Sequence, residues 1–187
     1  MILAKMYEKL KEFKDLKIEK LVIGLGYTAV LTEIGLGLSY TLISRKDSCT
    51  VNHNAGKISG RKILEVLEIL SDYETNIISR TILIALFNST VDFDKISSAG
   101  SDAVELMGIR PEDCVYMIGY FEPLVKAIES RCRNLKIIEE RHGETTADID
   151  SGDWNSDANL ITSTSLINGS FDDIARKCKK SRVNCLI

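Results

Sequence analysis

Hydroxyl and carboxamide side chains crowd the segment LITSTSLINGS, residues 160–170, where an apolar, strand-like start runs through Thr162, Ser163, Thr164 and Ser165 to Asn168-Gly169. The helix-like FDDIARKCKK follows at once. A polar strand end facing a helix start lies where open α/β sheets bind small molecules, in the crevice beyond the carboxyl ends of the strands. If the strand persists, alternation puts Thr162 and Thr164 on one face and Ser163 and Ser165 on the other, so only one pair can face a ligand. Ser170 reads as the N-cap of the following helix, with Asp173 at its third position. Asp172 and Asp173 already complement the helix dipole, which favours a neutral or cationic ligand, or a metal, over a phosphate.

A second candidate is Glu139, 20 residues after Gly119, each at the end of a strand-like run. That is the spacing at which a Rossmann carboxylate meets a ribose hydroxyl. Gly119-Tyr120-Phe121-Glu122 offers one glycine, two bulky rings and a repelling charge, so an adenosyl group without phosphates suits it better than a pyrophosphate. Gly24-Leu25-Gly26-Tyr27-Thr28-Ala29 satisfies G-x-G-x-x-A, with Asp47 about twenty residues on. Thr28, Val30, Thr32, Gly35 and Gly37 make the required helix a poor one, so these glycines read as a turn between strands. Of the two histidines, neither His53 nor His142 stands in HxxxH or beside a cysteine pair. The acidic run Asp148-x-Asp150-x-Gly152-Asp153 fails as a calcium loop, because its fifth, sixth and twelfth positions are Gly152, Asp153 and Asn159. Nucleophilic catalysis has no local signature.

Composition narrows the class. With 187 residues, 44% hydrophobic, the chain can bury roughly two-thirds of its unfolded surface. Twenty-four basic against 27 acidic residues give a net charge of −3, and the one basic cluster is Arg176, residues 177–180 and Arg182, so nucleic acid is not expected as a partner. Lys5 and Lys9 interrupt MILAKMYEKLKEF too early for a signal peptide, and no apolar run reaches membrane-spanning length. The expectation is a soluble, cytoplasmic protein. Cys49, Cys114, Cys132, Cys178 and Cys185 form no CxxC pair and read as reduced, mostly buried thiols.

The elements that position these groups follow from periodicity. Ile2, Leu3, Met6, Tyr7, Leu10 and Phe13 predict an amphipathic helix ending near Asp15. Residues 18–23, 27–32 and 36–44 read as strands, and helices are expected over about 59–70 and 75–88. The pattern loosens around 91–98. Beyond it come a short helix near 101–107, CVYMIG, a helix over 123–132 with Pro123 at its first position, LKIIEE, ANLITSTS, a helix over 171–179 and VNCLI. Strand alternating with helix predicts a parallel, Rossmann-like sheet. The fold class expected is α/β: an α+β domain over 1–95, then a Rossmann-like α/β domain over 96–187.

Several colinear segments together resemble one family. IGLGYTAVLTEIGLGLSYTL, His53-Asn54-Ala55-Gly56 with SGRKILEVLEIL, ISRTILIALFNS, VYMIGYFEPLV, KIIEER and DANLITSTSLINGS are similar to the family labelled putative heavy-metal chelation, formerly a domain of unknown function. The resemblance covers nearly the whole chain. It implies an enolase N-terminal-like domain followed by a Rossmann-like one, a site at their junction, an intracellular homodimer from anaerobic bacteria or archaea, and a role in handling metals or metal-containing cofactors. Tyr27, Thr28, His53, Asn88, Gly119, Tyr120, Phe121, Glu139, Thr162, Thr164, Asn168 and Gly169 fall on its recurring motifs. Glu140-Arg141-His142-Gly143 departs from the usual arginine-proline continuation, and the family pattern continues past Ile187 with a Gly-Pro-Ser-Thr-Pro-like loop, so the second domain is expected to be short. The leading expectation is an interdomain cleft for a small molecule, a divalent transition metal or a metal-cofactor precursor. In it His53 and Glu139 would ligate metal or move protons, and Thr162, Thr164 and Asn168 would orient the ligand. The alternatives are an adenosyl- or nucleotide-dependent transferase or oxidoreductase, and a non-catalytic accessory protein.

Overall fold

The computed structural model describes residues 1–42, 54, 56–96, 100, 102–139 and 154–187. The chain divides into two compact units: Met1–Ser97 with Leu166–Gly169, and Ser98–Ser165 with Ser170–Ile187.

The first unit opens with α1 (Ile2–Leu10), continued by a 3-10 turn over Lys11–Phe13. Next come β1 (Ile18–Ile23), β2 (Tyr27–Thr32) and β3 (Leu36–Tyr40), an antiparallel sheet in the order β1-β2-β3. Gly24-Leu25-Gly26 is the turn between β1 and β2, where the Gly24 N–H donates to the Tyr27 carbonyl at 2.9 Å, as β propensity rather than the dinucleotide pattern predicts. Two helices complete the unit, α2 (Ile63–Ile69) and α3 (Ile77–Asn88). The expected start of α2 near residue 59 gives way to pairing with β1. Ile18 N–H donates to the Arg61 carbonyl at 2.8 Å, and Gly60 N–H donates to that of Ile18 at 2.7 Å, so helix is postponed to Ile63.

Helix α3 is the core of this unit. The Asn76 side chain caps it by accepting from the N–H groups of Ile78 and Ser79. Residues 79–86 are all buried, as an all-round apolar helix must be. The sheet meets this helix through small residues: Thr28, Val30 and Thr32 on β2, Gly37 and Ser39 on β3, with Thr28 and Thr41 hydroxyls 2.9 Å apart. At Gly37 a Cβ would stand 2.0 Å from the Ala85 carbonyl oxygen and 2.3 Å from the Ser89 nitrogen. Backbone therefore lies directly on backbone there, and only glycine fits.

One charge sits inside this apolar helix. Arg80, 8% exposed, donates from Nε to the Tyr73 carbonyl at 3.0 Å, from Nη1 to the Ile167 carbonyl at 2.6 Å and from Nη2 to the Glu74 carbonyl. Burial pushes its pKa below the ordinary guanidinium value. Three carbonyls accept from the buried cation, the nearby Glu74 carboxylate favours its charge, and the Ile167 bond fixes the Leu166–Gly169 segment to α3.

The second unit is a parallel sheet covered on both faces. Its elements are α4 (Ala103–Leu106), β4 (Cys114–Ile118), α5 (Glu122–Glu129), β5 (Asn134–Ile138), β6 (Ala158–Ile161), the first two residues of α6 (Thr164–Asn168), whose remainder belongs to the first unit, α7 (Phe171–Lys177) and β7 (Val183–Leu186). The strand order is β5-β4-β6-β7. Alternation divides its core: Val115, Met117 and Leu160 pack with Ile128 of α5, while Ile118 and Ile161 pack with Trp154 and with Ile174 of α7. This is the Rossmann-like layering expected, following an enolase-like antiparallel domain. Pro123 occupies the second position of α5 rather than the first, since the helix begins at Glu122.

Cys132 and Cys178 are buried, Cys114 and Cys185 are partly so, and all four are free thiols; Cys49 lies outside the described residues. Burial alone pushes Cys178 up to about 11, which keeps it protonated at neutral pH. No helix among the described residues is long and apolar enough to cross a membrane.

Two stability measurements check this packing. Gly37→Ala should cost about 3 kcal/mol by overpacking against α3, whereas Gly26→Ala, whose Cβ meets nothing within 4 Å, should stay within about 0.5 kcal/mol in urea unfolding. Arg80→Met should lose about 3 kcal/mol by leaving carbonyls unpaired, and amide exchange at Asn168 and Gly169 should accelerate; unchanged exchange there would show that Arg80 does not hold the segment.

Candidate functional site

In the strand order β5-β4-β6-β7 the chain leaves β4 toward β5 and then returns to β6 on the other side. The carboxyl ends of β4 and β6 therefore form the topological switch point, the place where open α/β sheets generally bind ligands. Gly119 follows β4 and Thr162 follows β6, so the two segments singled out from sequence end side by side.

Backbone geometry is tight at this junction. Gly119 has φ +92°, and a Cβ on it would lie 2.9 Å from both Cβ and Cγ2 of Thr162. Its N–H donates to the Ile138 carbonyl at 2.8 Å, and Thr162 N–H donates to that of Ile118 at 2.9 Å, which carries the sheet's bonding one residue beyond each strand. Tyr120 is exposed beside it. Phe121, half-buried against the core, stands at the N-cap of α5, where Glu122 occupies the first turn. Glu139 follows β5, one strand over from Gly119, and is half-buried.

The hydroxyl cluster is arranged differently from the strand alternation expected. Strand β6 ends at Ile161 and α6 begins at Thr164, so alternation does not decide which hydroxyls share a face. Thr162 Oγ1 instead lies 2.9 Å from Thr164 Oγ1 and accepts from the Thr164 N–H at 3.3 Å, while Ser165 Oγ donates to the Thr162 carbonyl at 2.6 Å. A local side chain to backbone turn has won over strand continuation, as threonine and serine favour. Asn168 is exposed at the end of α6, and Gly169, at φ +86°, closes that helix against the Arg80 guanidinium. Ser170 stands at the N-cap of α7 without the side-chain capping bond expected of it, and Asp172 and Asp173 occupy the first turn.

The remaining candidates belong to the first unit. Tyr27 is exposed on the outer face of β2, and the next residue, Thr28, is fully buried on the inner face, so the two cannot serve one site. The Asn88 amide donates to the Leu38 carbonyl at 2.8 Å, securing the end of α3 to β3. His53, His142, Asp47 and the acidic run 148–153 lie outside the described residues.

Among the described residues no three or more His, Cys, Asp or Glu side chains converge, so they do not by themselves fit a bare metal ion. What the switch point offers is hydroxyls, backbone groups, an exposed aromatic ring and acidic neighbours. Sequence reasoning passed over Arg80, although a single charge within NIISRTILIALF was the signal that could have found it.

Residues 7–91 match the family DUF4213 and residues 102–187 the family DUF364, both described as "Putative heavy-metal chelation". No curated protein matches the chain. The crystal structure of a DUF364-family protein of unknown function from Desulfitobacterium hafniense DCB-2 is similar with a TM-score of 0.78 at 17% identity, covering 99% of this chain and 76% of that one. Another DUF364-family protein of unknown function, from Pyrococcus horikoshii, gives 0.76 at 24% identity, covering 98% of this chain and 77% of that one. At these identities the likeness is one of fold. The two family models together span most of the chain under one description, so the chain belongs to the heavy-metal-chelation-like group that they describe, DUF4213 in its first half and DUF364 in its second.

Proposed function

We propose that this chain binds an uncharged or cationic small molecule at the β4–β6 switch point, and that any metal it handles arrives there already held in an organic complex, as a metal-cofactor precursor. The observation that supports this reading is the close approach of Gly119 to Thr162, whose hydroxyl lies 2.9 Å from that of Thr164. Acidic first turns support the choice of ligand charge. Glu122 on α5 and Asp172 and Asp173 on α7 oppose a phosphate at either helix start. On this reading Thr162 and Thr164 donate and accept hydrogen bonds to the ligand, Tyr120 stacks on it, and Glu139 accepts from a ribose-like hydroxyl or pairs with a cationic group.

The reading also takes the protein as cytoplasmic, with reduced thiols, and as an association of two copies. An adenosyl-dependent transferase is the enzyme form of the same reading, favoured by the half-buried Glu139 one strand from Gly119.

Thermal shifts separate these ligands. S-adenosylmethionine, cationic and free of phosphates, should raise the melting temperature, NAD should not, and cobalt(II) or nickel(II) ions alone should have little effect. Thr162→Val and Glu139→Gln should each weaken the S-adenosylmethionine shift by about tenfold in apparent affinity, the weight of one good hydrogen bond to a charged group. A shift by NAD that both variants leave intact would contradict the proposal.

A further inference from the structure

In the first unit the usual alternation of a one-sided sheet is reversed. Register pairs Tyr27 with Tyr40, Ala29 with Leu38 and Leu31 with Leu36, and Val22 lies opposite Ala29 on the other side. These residues share the face turned away from α3, while the small and polar Thr28, Thr32, Gly37 and Ser39 face the helix. Large apolar residues are thus outside and hydroxyls inside. Val22, Tyr27, Leu31, Leu36, Leu38 and Tyr40 are 37–64% exposed. A face of this composition is normally a buried one.

We infer that the outer face of the β1–β3 sheet is the surface on which two copies of this chain associate. The exposed parts of those six side chains come to roughly 600 Å², already the size of the largest apolar patches on monomers. Leu25, 88% exposed in the β1–β2 turn, adjoins it next to Tyr27. Together they approach the ~800 Å² that each partner contributes to a stable interface. Lys20, at the edge, is the only charged residue that register puts on this face, so it presents no charge pattern by which to select an acidic or basic partner.

The relief of the patch also suits self-association. Half-buried Ala29 makes a low point in the middle strand, flanked by Val22 and Leu38 and bounded by the Tyr27–Tyr40 pair, whose rings meet edge to face at 6.0 Å. A two-fold axis near Ala29 places Leu38 of one copy over the low point of the other, the self-complementarity that an isologous dimer needs. The inference rests on the reading that two copies associate, and it is independent of what the switch point binds.

Sedimentation velocity on the whole chain at micromolar concentration tests it. The wild type should sediment at twice its 20.8 kDa. Leu38→Lys and Tyr40→Lys, at exposed positions, should each weaken association at least about a hundredfold by burying an unpaired charge, with far-ultraviolet circular dichroism unchanged. Leu106→Lys, exposed on α4 of the second unit, should leave the dimer intact. A monomeric wild type would overturn both the association and its surface. A dimeric wild type that folded Leu38→Lys and Tyr40→Lys variants leave dimeric would overturn the surface alone.

Discussion

Residue 119 must be glycine for the second unit to exist in this form. The strand leaving β4 turns with φ +92°, and its α-carbon lies so close to Thr162 that a methyl group would stand 2.9 Å from two of the threonine's side-chain carbons. That approach accompanies pairing of β4 and β6 to their last residues, with Phe121 at the start of α5 also packed against the turn. Without it the ends of the central strands would splay, and the groups proposed to meet a ligand would separate. A side chain omitted here does two things: it lets the backbone turn, and it lets Thr162 and Phe121 pack against the turn.

The first unit follows the same logic at a different scale. Gly37 lets β3 rest its backbone on α3, and the inner face of the sheet is accordingly built from threonine, serine and valine. Moving bulk out of that interface leaves it on the opposite face. Close packing inside and apolar exposure outside are two results of one choice of residues. Arg80 shows the same economy, since a guanidinium with five donors gathers carbonyls from Tyr73, Glu74 and Ile167 that no neutral side chain of α3 could reach together.

Much of this was legible in the residues themselves. Periodicity located the strands over 18–23 and 27–32, the long apolar helix ending at Asn88, and the alternation that makes the second unit parallel. β propensity after Gly26 correctly outweighed a dinucleotide pattern. Boundaries failed where tertiary bonds compete with local ones: α2 starts late because residues 59–61 bond to β1, and β6 stops at Ile161 because the Thr162 hydroxyl begins a capped turn. The side of each strand that faces the helix was not legible, since alternation gives two faces and the larger apolar one turned outward. The partnership of Gly119 with Thr162 was not legible either, because it depends on strand order, which local sequence does not encode.

Amide chemical shifts recorded while S-adenosylmethionine is added to the isotopically labelled chain test the central claim most directly. The account predicts that the largest perturbations fall on residues 119–121 and 162–164, with Glu139 next and the β1–β3 sheet nearly silent. Perturbations centred elsewhere, with residues 119 and 162 unmoved at saturation, would contradict it.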